Sequence, residues 1–369
     1  MKRHLFSAGT ALASLVCACA PIAAAEGDDA LDRSAGEWIE ARAFNGVIMA
    51  GRQGEPVRHW VSGVADPATG RVLTAQTRFQ TGSVDKYFAA LAVFALVEDG
   101  RLDLDAPIRT YLPDFREDTG ERITLHHLLT NRSGLPNDIL QAFRADRAEV
   151  DALSPADAVA RYASGELTQN PGEAFDYVLT NWLVVQHLLA SVTGQSYGEV
   201  LQTRVFQPAG MDQSGVFTHD LTETRPYTDD VAIGHVPGDP EARGDYWSPR
   251  FLTGSFTTAA DLLRLEQALD SGQVLGGDSL ERFRTIQTPQ QRYAFGGRYD
   301  VWDICGEPQR VSTQSGSNGA TNITVAHVIG RGEAVAILTN VDESQGAMFA
   351  RSARMLAQLQ GCDLDQVGE

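Results

Sequence analysis

Ser83 and Lys86 stand three residues apart in the stretch Thr81-Gly82-Ser83-Val84-Asp85-Lys86. A serine hydroxyl is a weak nucleophile until a base takes its proton, and a neutral amine is one such base. The residues that follow, Phe88 to Val97, are almost wholly apolar and end at Asp99-Gly100, which predicts a helix buried on nearly all its faces. Ser83 then falls at the helix N-terminus, where unpaired N–H groups and the dipole favour developing negative charge. Lys86 lies on the same side of that helix, and burial is expected to lower its pKa so that the amine can lose its proton. Ser-x-x-Lys alone is a common tetrapeptide, and its ordinary alternative is a capping serine followed by a surface lysine.

Composition adds weight to the pair. The chain holds two lysines, Lys2 and Lys86; its other strongly basic residues are all arginine. Arginine serves as a surface charge as well as lysine does, but it keeps its proton near neutral pH. Lys2 falls in an N-terminal segment with the layout of a cleaved signal, so Lys86 is the sole lysine expected in the mature chain, which points to a site that needs a titratable amine.

The elements that must position this pair are visible at both ends of the sequence. Asn45–Gly51 and Val57–Gly63 read as two strands around a turn containing Gly54, and Thr321–Val328 and Ala334–Val341 read the same way. Between them the chain is mostly helical: Ser154-Pro155 starts one helix, Trp182–Thr193 is closed by Gly194, and Ala259–Ser271 by Gly272. A last helix is expected from Gln345 to Gln360, capped by Ser344. The simplest architecture is α/β (α+β). Its antiparallel sheet is built from N- and C-terminal strands (about 30–85 and 285–369) and flanked by helices, with an inserted all-helical part (about 86–284). A cleft between the two parts is the default place for a site.

The N-terminus carries a different message. Lys2 and Arg3 precede an apolar run from Leu5 to Ala20, and Ala23-Ala24-Ala25 offers a small-residue cleavage pattern. That layout predicts a cleaved signal peptide over 1–25, a hydrolase domain over 26–369, and a periplasmic or secreted protein. Val16-Cys17-Ala18-Cys19 also loosely resembles a lipoprotein processing site, so contact with a membrane is expected only through a lipid anchor. Of the remaining cysteines, Cys305 and Cys362 either pair as a disulfide or stay as separate thiols. The formal net charge of −18 argues against nucleic acid as a partner. The histidines are scattered, and no His-Glu-x-x-His or paired-cysteine spacing occurs. Neither a metal nor another cofactor is therefore expected.

Longer motifs surround the serine: FQTGSVDKYFAALAVFALVEDGRLDLDAPIRTYLPDF, ITLHHLLTNRSGLP, PGEAFDY, GSFTTAADLLRL and QSGSNGATNITVAHVIGRGEAVAILTN. Together they resemble the serine β-lactamase and penicillin-binding-protein superfamily, in the branch of class C β-lactamases, D-aminoacyl peptidases and related esterases. The resemblance implies a β-lactamase-like fold and an acyl-enzyme on Ser83, with Lys86 as its paired base. It implies that Tyr177, in Phe175-Asp176-Tyr177, shuttles protons to and from the leaving group. It places Gln314, Ser315, Gly316 and Ser317 on the strand lining the cleft, with the Ser83 and Ser317 N–H groups as the oxyanion hole. His126 and His127 fall where such proteins carry a structural histidine, which implies packing or capping.

Two departures bear on the substrate. The tyrosine motif of these proteins reads Tyr-x-Asn, and here Leu179 replaces an asparagine that holds substrate amides; Asn181 aligns with another position. Gln314 replaces a lysine or histidine that would hold a substrate carboxylate. Both changes favour an ester or a small amide over β-lactams and D-alanyl-D-alanine peptides. A carboxypeptidase or β-lactamase is the enzymatic alternative. A catalytically impaired protein that binds cell-wall peptide is the non-enzymatic one. Arg250 and Arg310 are candidates for a replacement charge, and Tyr246 and Trp247 for the cleft border.

Overall fold

The structure, a computed structural model, describes residues 26–217, 230–243 and 254–362. The expected signal segment and residues Tyr246, Trp247 and Arg250 lie outside the described residues.

A six-stranded sheet organises the molecule. Its strands are β1 (Gly46–Arg52), β2 (Glu55–Ser62), β3 (Tyr299–Ile304), β4 (Glu307–Asn318), β5 (Thr321–Val328) and β6 (Glu333–Thr339). Their spatial order is β3-β4-β5-β6-β1-β2, and every neighbouring pair is antiparallel. The two ends of the chain meet where β1 runs against β6, from Gly46 opposite Thr339 to Arg52 opposite Glu333. The β1–β2 hairpin turns through Gln53 and Gly54, at φ +54° and +79°. Two successive positive φ values match the right-handed strand twist, and glycine adopts the second without strain.

Side chains alternate across the central strands, and both faces are covered. Val47, Met49, Ala336 and Leu338 join the core that contains α2 (Val84–Glu98). Ile48, Ala50, Val335 and Ile337 face the opposite core, under α1 (Glu26–Arg42) and the C-terminal helix Gln345–Leu359. Burial on both faces explains why these strands read as continuous apolar runs. Cys305, in the β3–β4 turn, forms a disulfide with Cys362, just past the C-terminal helix, with Cα atoms 5.9 Å apart.

The helical middle includes α3 (Leu179–Thr193), which Gly194 closes in the left-handed conformation. One part of the expected division needs revision. The helix α4 (Ala259–Asp270) lies within the stretch assigned by sequence to the helical part, yet it packs on β6, β1 and β2. Its apolar stripe of Leu262, Leu263 and Leu269 is buried, and the sheet is the surface that covers it.

Candidate active site

Ser83 is placed by two backbone clamps. The short strand Phe79–Gln80 pairs with Ser255–Thr257, and the Thr81 N–H donates to the Ser255 carbonyl at 3.0 Å. On the other side β4 presses against residues 81–83. Gly82 has φ +52°, and a Cβ there would lie 2.6 Å from the Ser317 backbone nitrogen; a Cβ on Gly316 would lie 1.9 Å from the Thr81 carbonyl oxygen. Only glycines allow this approach, and it brings the backbones of Ser83 and Ser317 side by side. Ser83 is the N-cap residue of α2, but its side chain makes no capping hydrogen bond. The ordinary capping role is thus not taken, and the hydroxyl is left for the cleft.

Lys86 reaches back one turn, and its Nζ donates to Ser83 Oγ at 3.4 Å. It is half-buried rather than enclosed, unlike the apolar residues that follow it on α2, which are buried as expected. The Lys86 ammonium also stands 5.4 Å from the centre of the Tyr177 ring, within the range of a cation–π contact. Tyr177 is 37% exposed and is braced by Phe175 and by an edge-on Tyr293. The structure therefore brings Ser83, Lys86 and Tyr177 together, with the tyrosine presenting its ring to the amine.

The third segment divides. Ser317, Asn318 and Gly319 line the cleft, whereas Gln314 does not. Gln314 is buried, its Nε2 donating to the Arg298 carbonyl (3.0 Å) and Ser312 Oγ (2.9 Å), its Oε1 accepting from the Arg298 N–H (3.1 Å). With donor and acceptor both occupied, it tethers β4 to the turn before β3 instead of reaching substrate. Ser315 is half-buried and also off the lining. Arg310 is exposed beside Glu281 at 3.6 Å, remote from the described cleft wall. Asn181 is enclosed with Ser133 and Asn131, so it is no substitute for the asparagine replaced by Leu179. His127 closes a capping box with Thr124, a structural role.

The cleft holds about 460 Å³. Residues that the sequence did not single out complete it: Asn137, Leu140, Trp182, Gln186 and Phe217, with Asp85 at the foot of α2. Asn137 Oδ1 accepts the Leu179 N–H at 3.1 Å and so fixes the start of α3. Asp85 is 7% exposed; its Oδ2 accepts from Tyr197 Oη at 2.8 Å and Gln186 Nε2 at 3.1 Å. Burial pushes its carboxyl up to about 6, against the pull of hydrogen bonding from Ser255, Tyr197 and Gln186 and of the Lys86 charge. A polar Gln186 inside the apolar run of α3 was the one sequence signal for this cluster. Among the described residues, no group of side chains could hold a metal ion, and no helix is long and apolar enough to cross a membrane.

Residues 29–360 match the β-lactamase family model. The chain is 29% identical to the putative penicillin-binding protein PbpX of Bacillus subtilis (strain 168) over 252 residues, 67% of this chain and 60% of that protein. It is 34% identical to esterase EstB of Burkholderia gladioli over 214 residues, 55% of this chain and 53% of that one. The chain thus spans somewhat over half the length of these two relatives. A crystal structure of a penicillin-binding protein from Bacillus halodurans superposes with a TM-score of 0.73 at 23% identity, covering 87% of this chain and 97% of that one. That likeness extends to the fold.

Proposed function

The chain belongs to the β-lactamase family, and from that premise we propose that it is a serine hydrolase working through an acyl-enzyme on Ser83. The observation that carries this reading is the uncapped Ser83 hydroxyl with the Lys86 amine 3.4 Å away at the cleft. In the first step Ser83 Oγ attacks the substrate carbonyl while its proton passes to neutral Lys86. Ser83 and Ser317 N–H groups receive the oxyanion, a contribution of about 3–4 kcal/mol for each well-placed donor. Lys86, with Tyr177 beside it, returns the proton to the leaving group. Water then attacks the acyl-enzyme by the reverse path and frees Ser83.

We assign the substrate to esters or small amides. Leu179 offers no hydrogen bond to a substrate amide, and Gln314 is turned into the core. Among the described lining residues, Lys86 is the sole cation, so none of them is a dedicated partner for a substrate carboxylate. We also place the protein outside the cytoplasm. The signal-like layout of residues 1–25 and the Cys305–Cys362 disulfide both support an oxidising compartment.

Exposure to a fluorophosphonate, a penicillin and a short-chain p-nitrophenyl ester, read by intact mass and product release, tests the reading. A Ser83 adduct with ester turnover is expected. A stable penicilloyl adduct would favour a penicillin-binding role, and rapid β-lactam turnover a β-lactamase. No adduct and no turnover would leave the non-catalytic peptide-binding alternative.

A further inference from the structure

Asn131 follows the short helix Leu125–Leu129 and is fully buried, with φ +54°. A left-handed residue after a helix end is an ordinary stop, and asparagine is among the few residues that adopt it readily. That role needs only the backbone. The Asn131 side chain does more: its Oδ1 accepts from Asn181 Nδ2 and from Trp182 Nε1, both at 3.2 Å. Both donors belong to α3, and Trp182 lines the cleft.

The adjoining backbone grips the segment that carries Tyr177. The Asn131 carbonyl accepts the Asp176 N–H at 2.7 Å, and the Arg132 carbonyl accepts the Gly172 N–H at 2.7 Å. Arg132 Nη2 donates in turn to the Gly172 carbonyl. The Asn131 side chain also neighbours the buried hydroxyl of Tyr293. The Tyr293 ring packs edge-on against Phe175 at 5.3 Å and Tyr177 at 6.3 Å. One buried residue thus joins α3, the segment 172–177 and the ring that braces Tyr177. Such ties matter to chemistry, since a misplacement of about 1 Å at a reacting group can cost about a hundredfold in rate.

We propose that Asn131, which lies behind the lining of the cleft, is a positioning residue for proton transfer to the leaving group, acting through Tyr177. This rests on the serine hydrolase reading above. In acylation the bond from Ser83 Oγ to the carbonyl carbon forms and the bond to the leaving-group oxygen breaks. That oxygen takes the proton released by Ser83, and Asn131 holds the tyrosine where it serves this transfer.

The test compares p-nitrophenyl with phenyl butyrate on the full-length protein. The two esters share an acyl group and differ in acylation: p-nitrophenolate leaves unaided, whereas phenolate gains from a proton. Asn131→Gly keeps the left-handed backbone and its bond to Asp176 but removes the side chain. It should lower kcat/KM for phenyl butyrate about tenfold or more, and for the p-nitrophenyl ester less than about threefold. Asn131→Asp, which keeps an acceptor for Asn181 and Trp182, should retain the wild-type ratio. In a Tyr177→Phe background, Asn131→Gly should shift the ratio less than about twofold, because its effect passes through the tyrosine.

An equal fall for both esters, an unmoved ratio, or the full shift without the Tyr177 hydroxyl would overturn the role. If only Asn131→Asp folds, its ratio decides: the wild-type value supports the role and another value overturns it. Failure of both variants to fold would assign Asn131 to the fold alone and overturn the proposal. So would a wild type that forms a fluorophosphonate adduct but cleaves only the p-nitrophenyl ester. A wild type with no adduct and no turnover of either ester would instead sink the hydrolase reading itself, and this role with it.

Discussion

Lys86 Nζ lies 3.4 Å from Ser83 Oγ while its charge also stands over the ring of Tyr177. The amine is thus aimed at the serine by the helix and held on its outer side by an aromatic face. Arginine can keep the second contact but does not give up its proton. Lys86→Arg should therefore fold with an unchanged thermal midpoint and lose about 10²–10⁴-fold in acylation rate, the scale of general base catalysis. Stopped-flow ester hydrolysis checks this, and full activity in the variant would show that a neutral amine is not required.

Asp85 makes a stability prediction of definite sign. Its carboxyl is raised from the ordinary 3.8 to about 6 by burial, so the folded protein binds an extra proton between roughly pH 4 and 6. Stability falls as pH rises through that window and stays lower above it, by up to about 3 kcal/mol. Asp85→Asn removes this loss. Urea unfolding at pH 4 and pH 8 should show a smaller decline in the variant than in the wild type.

Asp270 works in the opposite sense. Burial raises its pKa, but the hydrogen bond and charge of His327, the Gly330 N–H and Arg284 outweigh it and hold the carboxyl at about 2. The contacts are 2.7 Å to His327 Nε2 and 2.8 Å to Arg284. A depressed carboxyl stabilises the fold above pH 3.8, and this stabilisation is lost as pH falls toward 2. Asp270→Asn should cost about 3–5 kcal/mol at pH 7, because it breaks a buried ion pair and leaves Arg284 with Glu266 as its remaining counter-charge. Denaturant midpoints at pH 7 measure it.

The Cys305–Cys362 disulfide ties the β3–β4 turn to the end of the C-terminal helix across 57 residues of sequence. Cross-linking a loop of this size stabilises by about 4 kcal/mol in the chain-entropy model. Reduction, or a Cys305→Ser/Cys362→Ser double variant, should lower the thermal midpoint by several degrees without touching the cleft. An unchanged midpoint would mean that the C-terminal helix holds its place by packing alone.

Much of this architecture could be read from residue patterns, because local signals and tertiary packing agree there. The Gly54 turn, the apolar run of α2, Gly194 behind α3 and Ser344 before the C-terminal helix all mark observed boundaries. Only the family resemblance placed Gln314 to Ser317 on a strand, and the β3–β4 hairpin was hidden from residue patterns. Its strands mix Gln309, Ser312, Thr313 and Gln314 into buried positions, so neither alternation nor an apolar run announces them. The direction of Gln314 was equally illegible, since its partners Arg298 and Ser312 are fixed only by the folded hairpin. Nothing in the sequence marks Asp85 as buried. Its burial depends on Tyr197 and Gln186, more than a hundred residues away in sequence.

The proposed nucleophile is Ser83. Peptide mapping by mass spectrometry after fluorophosphonate treatment tests it most directly. One adduct per chain is expected, located on Ser83, absent in Ser83→Ala and slowed in Lys86→Arg. Ester hydrolysis that persists in Ser83→Ala, or an adduct on another residue, would show that Ser83 is not the nucleophile.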